Sequence, residues 1–190
     1  MLETLHTGDI PHFQVGNLKS HNWDILLDLW NKSSIAKNYL RLYKDSLDWH
    51  IEEFSPEGKG FHMTRNLLSK DRRTIVDDYG LLGLSLINLQ DKSVIITEGV
   101  SDYFTAKLLC PNRNVLGITT LGGSAKAKVI LLNLFDSFLI CADNDSTGLT
   151  NAHRWKRFLT NYNKSVSIFT PSSSYKDITD NFIFNLKLNQ

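Results

Sequence analysis

Two short acidic clusters carry most of the chemistry available to this sequence. Glu98-Gly99-Val100-Ser101-Asp102 follows the run Val94-Ile95-Ile96-Thr97, and Asp143-Asn144-Asp145-Ser146-Thr147-Gly148 follows Phe138-Leu139-Ile140-Cys141-Ala142. Each cluster sets carboxylates at the end of a short apolar segment and is followed by residues at helical spacing. Ligand sites at the carboxyl edge of a parallel sheet are built in this way. Carboxylates gathered at one edge repel one another unless a cation sits among them. An all-oxygen donor set suits Mg²⁺ or Mn²⁺, held by one or two carboxylates together with substrate phosphates. The chemistry implied is phosphoryl or nucleotidyl transfer, which needs a metal, a positioned nucleophile and sometimes a proton donor or acceptor.

Asp143 and Asp145 flank one residue, so on extended backbone their side chains point the same way and suit joint metal binding; the alternative for such a segment is a helix-capping turn. Glu98, across the sheet edge from them, reads as a metal ligand or as a general acid/base whose pKa is raised by burial and like charges. Gly99 and Gly148 open helices whose N-termini attract anions, so both are candidates for close approach to a phosphate. Asp102, one helical turn beyond Glu98, either orients the site or caps the helix. Lys176 and Asp177 follow the loop Pro171-Ser172-Ser173-Ser174 at the same edge, where Lys176 is a candidate to contact a phosphate and Asp177 a metal, the alternative being a solvated, charged helix start. The loop Thr119 to Ser124, with Lys126 just beyond it, is a further candidate to hold substrate. Nearer the start, Lys59, Arg65, Arg72 and Arg73 are candidates to line a nucleic-acid groove, with Phe61 and Trp49 available for stacking on bases.

The elements that must position these groups follow from periodicity. Val94 to Thr97, Val115 to Ile118, Phe138 to Ala142 and Val166 to Phe169 read as strands. Between and after them, Asp102 to Leu109, Ser124 to Phe135, Gly148 to Asn161 and a segment from about Lys176 read as helices, with a turn at Gly122-Gly123. Such alternation indicates a parallel sheet with helices on both faces. Upstream, Trp23, Leu26, Leu27, Trp30, Ile35, Tyr39 and Leu42 recur at spacings that predict a helix from about Asn22 to Tyr43. Trp49, Ile51 and Phe54 predict a strand before the turn Ser55-Pro56-Glu57-Gly58.

Taken together, Glu-Gly-x-x-Asp after one strand and Asp-x-Asp-x-x-Gly after a later one resemble the signature of TOPRIM domains, shared by bacterial-type primases, topoisomerases, some nucleases and RecR proteins. The primase branch is the nearest match. Asp102, Gly148, Ala152 and the late Lys176-Asp177-Ile178-Thr179-Asp180 resemble its pattern, and Gly80-Leu81-Leu82-Gly83-Leu84 resembles the passage that enters the domain. The resemblance covers about the last half of the chain. It implies a TOPRIM-like, Rossmann-like parallel α/β sheet flanked by helices over residues 91–190, preceded by a smaller helix-rich α+β region over 1–90. It also implies general acid/base work for Glu98.

The expected function is that of a primase-like nucleotidyltransferase making short RNA primers. Its partners would be a single-stranded DNA template and nucleoside triphosphates, with Mg²⁺ or Mn²⁺ held by Asp143, Asp145 and also by Glu98 and Asp177. Two other functions remain open: a metal-dependent TOPRIM nuclease working at the same edge, and a nucleic-acid-binding or replisome-interaction module without turnover. A topoisomerase is disfavoured, because the chain lacks length for a gate domain with a nucleophilic tyrosine.

Composition narrows the setting. At 190 residues, 42% hydrophobic and 22% charged, the chain is an ordinary globular one, and its net charge of +1 is far from the basic excess of a stand-alone nucleic-acid binder. Basic clusters are local, as in Lys126-Ala127-Lys128 and His153-Arg154-Trp155-Lys156-Arg157. With only Cys110 and Cys141, the chain has no four-cysteine zinc site, so a zinc-bearing or helicase partner is expected to assist. Neither a membrane span nor a signal-peptide layout is present, so a cytoplasmic setting without membrane contact is expected. Small zinc-free proteins of this type suit phages and other mobile elements.

Overall fold

The computed structural model describes residues 15–35, 39–45, 48–54, 62–66, 72–75, 80–118 and 124–188. Lys59, Phe61 and the turns at 55–58 and 122–123 lie outside these residues. The chain runs from helix α1 (Val15–Lys32) into strands β1 (Leu40–Asp45), β2 (Asp48–Glu53), β3 (His62–Asn66) and β4 (Arg72–Ile75). These four form an antiparallel sheet in sequence order. Trp49 and Ile51 alternate inward on β2, as period-two burial requires, while Phe54 falls just after the strand.

The helix expected to reach Tyr43 stops at Lys32. Ser33 ends it, its backbone N–H donating to the carbonyls of Leu29 and Trp30 and its hydroxyl to Trp30. Leu40 and Leu42 then alternate inward on β1 rather than continuing a helical stripe. The α+β character of this region therefore comes more from sheet than from helix among the described residues.

A second sheet holds strands β5 (Leu81–Leu82), β6 (Ser93–Thr97), β7 (Asn114–Ile118), β8 (Ser137–Cys141) and β9 (Ser165–Phe169), ordered β5-β7-β6-β8-β9. The last four are mutually parallel, and β5 pairs antiparallel with β7. Helices α2 (Val100–Leu109), α3 (Ala125–Leu134), α4 (Ser146–Thr160) and α5 (Ile178–Leu188) follow β6, β7, β8 and β9. Each parallel segment expected from periodicity is present, with ends shifted by a residue or two. The β5 edge strand and the 3₁₀ turn Leu84–Leu86 were not expected, since a two-residue strand leaves no periodicity to read.

The sheet separates two apolar cores. On one face Val94, Ile96, Leu116, Phe138 and Ile140 meet Ala127 and Leu131 of α3 and Trp155 and Leu159 of α4. On the other, Ile95, Val115 and Cys141 meet Tyr103 and Phe104 of α2, and this core continues into Trp30 of α1 and Trp49 of β2. Trp30 packs edge-on against Phe104 with ring centroids 4.7 Å apart. Buried Glu53 at the end of β2 accepts the N–H groups of Gly83 at 2.7 Å and Ser85 at 2.6 Å, tying the first sheet to the entry of the second. Gly83 has φ +101, and a Cβ there would lie 2.5 Å from the Tyr103 ring and 2.7 Å from the Val115 carbonyl, so the turn excludes any side chain.

Candidate active site at the carboxyl edge

All four parallel strands end at one rim, and the predicted acids follow three of them. Asp102 lies in the first turn of α2, Asp143 follows β8, and Asp177 directly precedes α5. One carboxylate oxygen from each of these three lies within 4.8 Å of the other two. They line a cavity of about 240 Å³ together with Glu98, Lys176 and, from α1, Trp23.

Each acid is held by its own local structure. Buried Asp102 accepts the Thr179 hydroxyl at 2.6 Å and the Thr179 N–H at 3.3 Å, and Thr179 also shares a 3.0 Å bond with Thr105. Asp177 accepts the N–H of Asp180 at 2.8 Å, capping the first turn of α5. The loop carrying Lys176 and Asp177 is latched to the second cluster through Asn144, whose N–H donates to the Lys176 carbonyl at 2.6 Å. Its side-chain amide donates to the carbonyls of Ser172 and Tyr175 at 3.3 and 3.2 Å.

Burial is the first cause of an upward pKa shift at four of these carboxyls. Asp102 is pushed up to about 7 by burial and then by the charge of Asp177. Burial also raises Asp177, raises Asp143 against the pull of Lys176, and raises Glu98 against its bond to Asn151. Lys176 Nζ lies 3.2 Å from Asp143 and 4.0 Å from Asp145, and among the described residues it is the only cation lining the cavity. A divalent ion fits this donor set: three hard oxygen ligands converge, no histidine or cysteine among the described residues lines the cavity, and one lysine cannot neutralise them all.

The predicted residues divide between this cluster and its surroundings. Asp143 and Asp177 join the trio, whereas Glu98 and Asp145 stand outside it. Asp145 caps α4, accepting the Gly148 N–H at 2.8 Å, because extended backbone ends at Cys141 before the pair is reached. Asp143 and Asp145 therefore do not sit together on a strand, although an oxygen of each faces Lys176 Nζ. Gly148 has its N–H taken by that cap, and a Cβ on it would lie 2.6 Å from the Asp143 carbonyl. It thus gives α4 close approach to Asp143 rather than an open amide for phosphate. Gly99 is the extended residue before α2, and a Cβ there would lie 3.2 Å from Asp102 Oδ2.

Lys126 is exposed on α3 and does not line the cavity. Arg65 lies on β3, and Arg72 and Arg73 on β4, paired Arg65 with Arg72 and Thr64 with Arg73. Sequence reasoning left Asp102 undecided between orienting the site and capping, and passed over Thr179, Asn144 and Asn151. For Asp102 the available signal was its place one turn after Glu98, which points it back over the strand end. The partners of Asn144 and Asn151 are distant in sequence and left no local sign.

The fold has clear counterparts among solved structures. A DNA primase domain from Pseudomonas aeruginosa superposes with TM-score 0.59 at 18% identity, covering 80% of this chain and 56% of that one. The zinc-binding and RNA polymerase domains of the Aquifex aeolicus primase give TM-score 0.58 at 19% identity, covering 80% and 43%. Primase domains in a bacteriophage T7 lagging-strand polymerase assembly, bound to an RNA/DNA hybrid and dTTP, give TM-score 0.55 at 18% identity, covering 78% and 77%. The chain spans about half the length of the first two. No protein-family model and no curated protein matches its sequence. The fold matches that of the solved primase catalytic cores, as the motifs led us to expect.

Proposed function

We propose that the chain is a primase-type nucleotidyltransferase that joins ribonucleotides on single-stranded DNA in the cytoplasm, assisted by a helicase or zinc-bearing partner. The observation that supports this most is the meeting of Asp102, Asp143 and Asp177, from three separate sequence motifs, at the rim of a primase-core fold. These three would hold Mg²⁺ or Mn²⁺, with Asp145 and Glu98 beside them. When bound, the ion supplies charge neutralisation for the phosphates and activates the attacking hydroxyl.

The chain's own residues then have distinct tasks. Lys176, freed from Asp143 and Asp145 once their charge is met, is placed to contact the triphosphate. Glu98 stands outside the trio with Oε1 accepting Asn151 Nδ2 at 2.7 Å, leaving Oε2 to take the proton of the 3′-hydroxyl. Burial raises its pKa above the ordinary carboxylate value, which makes it a stronger base. The hydroxyl oxygen bonds to the α-phosphorus, and pyrophosphate leaves. We retain residues 1–90 as an accessory region and 91–190 as the catalytic domain. Lys59, Arg65, Arg72 and Arg73 are proposed template contacts.

The test incubates pure protein with single-stranded DNA, labelled ribonucleotides and Mn²⁺ or Mg²⁺, and in parallel with end-labelled DNA and RNA. New oligoribonucleotides are the expected result. Shortened labels without synthesis would replace this reading with the nuclease, and neither product would leave the non-catalytic module.

A further inference from the structure

Helices α3 and α4 lie side by side on the sheet face away from α1, α2 and α5, and they concentrate charge in a way the whole chain does not. They carry Lys126, Lys128, Arg154, Lys156 and Arg157 without one aspartate or glutamate, so in a chain of net +1 the remainder is net −4. Arg154, Lys156 and Arg157 are exposed, and among the described residues no ion pair engages them. Exposed cations such as Arg154, Lys156 and Arg157, gathered on one face, are the electrostatic footprint of a polyanion partner.

A second observation specifies the polyanion. Trp155, Phe158 and Tyr162 form a ladder along α4 and its following turn, with ring centroids 5.8 and 5.2 Å apart. The ladder grows more open as it goes, from buried Trp155 to Tyr162 at 57% exposure. Lys128 of α3 lies 5.9 Å from the Trp155 ring and 5.4 Å from that of Phe158, so a cation borders the aromatic surface. Cationic side chains beside rings that offer a free face suit unstacked bases on a phosphate backbone. The stripe also points at the acidic rim: Asn151, three residues before Arg154 and four before Trp155, holds Glu98.

We infer that the α3–α4 face is a binding track for single-stranded nucleic acid, with Arg154 and Arg157 on phosphates and Phe158 and Tyr162 stacking on bases, leading along α4 to or from the carboxyl edge. This track is separate from the acidic cavity and does not depend on the polymerase reading.

Fluorescence anisotropy of the full-length protein with a labelled oligodeoxythymidylate, in EDTA and without nucleotides, tests it. Arg154→Ala with Arg157→Ala should weaken binding about tenfold or more at low salt and lower the salt slope by roughly 1.4, at about 0.7 per phosphate contact. Tyr162→Ala should weaken it about tenfold with the slope unchanged. A control of equal charge, Lys92→Ala with Arg113→Ala at the amino edge of the sheet, should stay within about threefold of the parent. The inference is overturned if the two α4 variants bind as the parent does, or if the control falls as far as they do. Binding that maps to α4 in a protein that makes no primers would keep the track and sink the polymerase reading.

Discussion

On one face of the five-stranded sheet, α3 and α4 close over aliphatic and aromatic side chains such as Leu131, Phe138 and Leu159. On the other, α2 and α5 meet across Asp102, Thr105 and Thr179, three buried polar residues linked by hydrogen bonds. The first face gains stability from apolar burial. The second gives some of it up, because Asp102 is buried and still faces Asp143 and Asp177. The contrast separates the residues that hold the fold from those that hold the site, and substitutions on the two faces should behave oppositely.

The largest effect is expected at the site. Asp143→Asn and Asp177→Asn should each lower primer synthesis by about a hundredfold or more, while the melting temperature stays level or rises because like charges have been removed. Rate assays and calorimetry on the same samples check this, and a fall in both would make these residues structural. The reverse is expected on the dry face. Leu131→Ala, at a fully buried position, should cost about 2–5 kcal/mol of stability, with the rate per folded molecule unchanged.

Asp102→Asn sharpens the comparison through pH. The folded-state pKa of Asp102, about 7, lies above its ordinary 3.8, so folding favours the protonated form. Stability from this group is full below about pH 4 and is lost as pH rises through about 7. The metal-free variant should therefore exceed the parent by on the order of 4 kcal/mol at pH 8 and match it near pH 4. Denaturant titrations at the two pH values decide this, and an equal gap at both would refute the assignment. The smallest effect is expected from Thr179→Val, which removes one hydroxyl between Asp102 and Thr105 and should cost about 1–2 kcal/mol.

The sequence revealed the parallel half of the fold because each of its strands is a short apolar run ended by a turn or charged cluster. It misjudged residues 33–43, where Ile35, Tyr39 and Leu42 continue the helical spacing of α1 while the backbone has already turned into β1. Spacing alone cannot register the break at Ser33. At the site, the motifs named acids that follow the strands at one rim but not their grouping. The reach of Asp102 toward Asp143 and Asp177 depends on α2 and α5 packing together, and the withdrawal of Asp145 depends on its capping of α4.

Manganese binding, followed by loss of the free-ion EPR signal on titration of the protein at pH 7.5, tests the grouping most directly. The parent should bind Mn²⁺, Asp143→Asn and Asp177→Asn should weaken binding at least about tenfold, and the exposed Asp28→Asn should leave it unchanged. Equal binding by the parent and the two site variants would contradict the convergence of these carboxylates on a single ion.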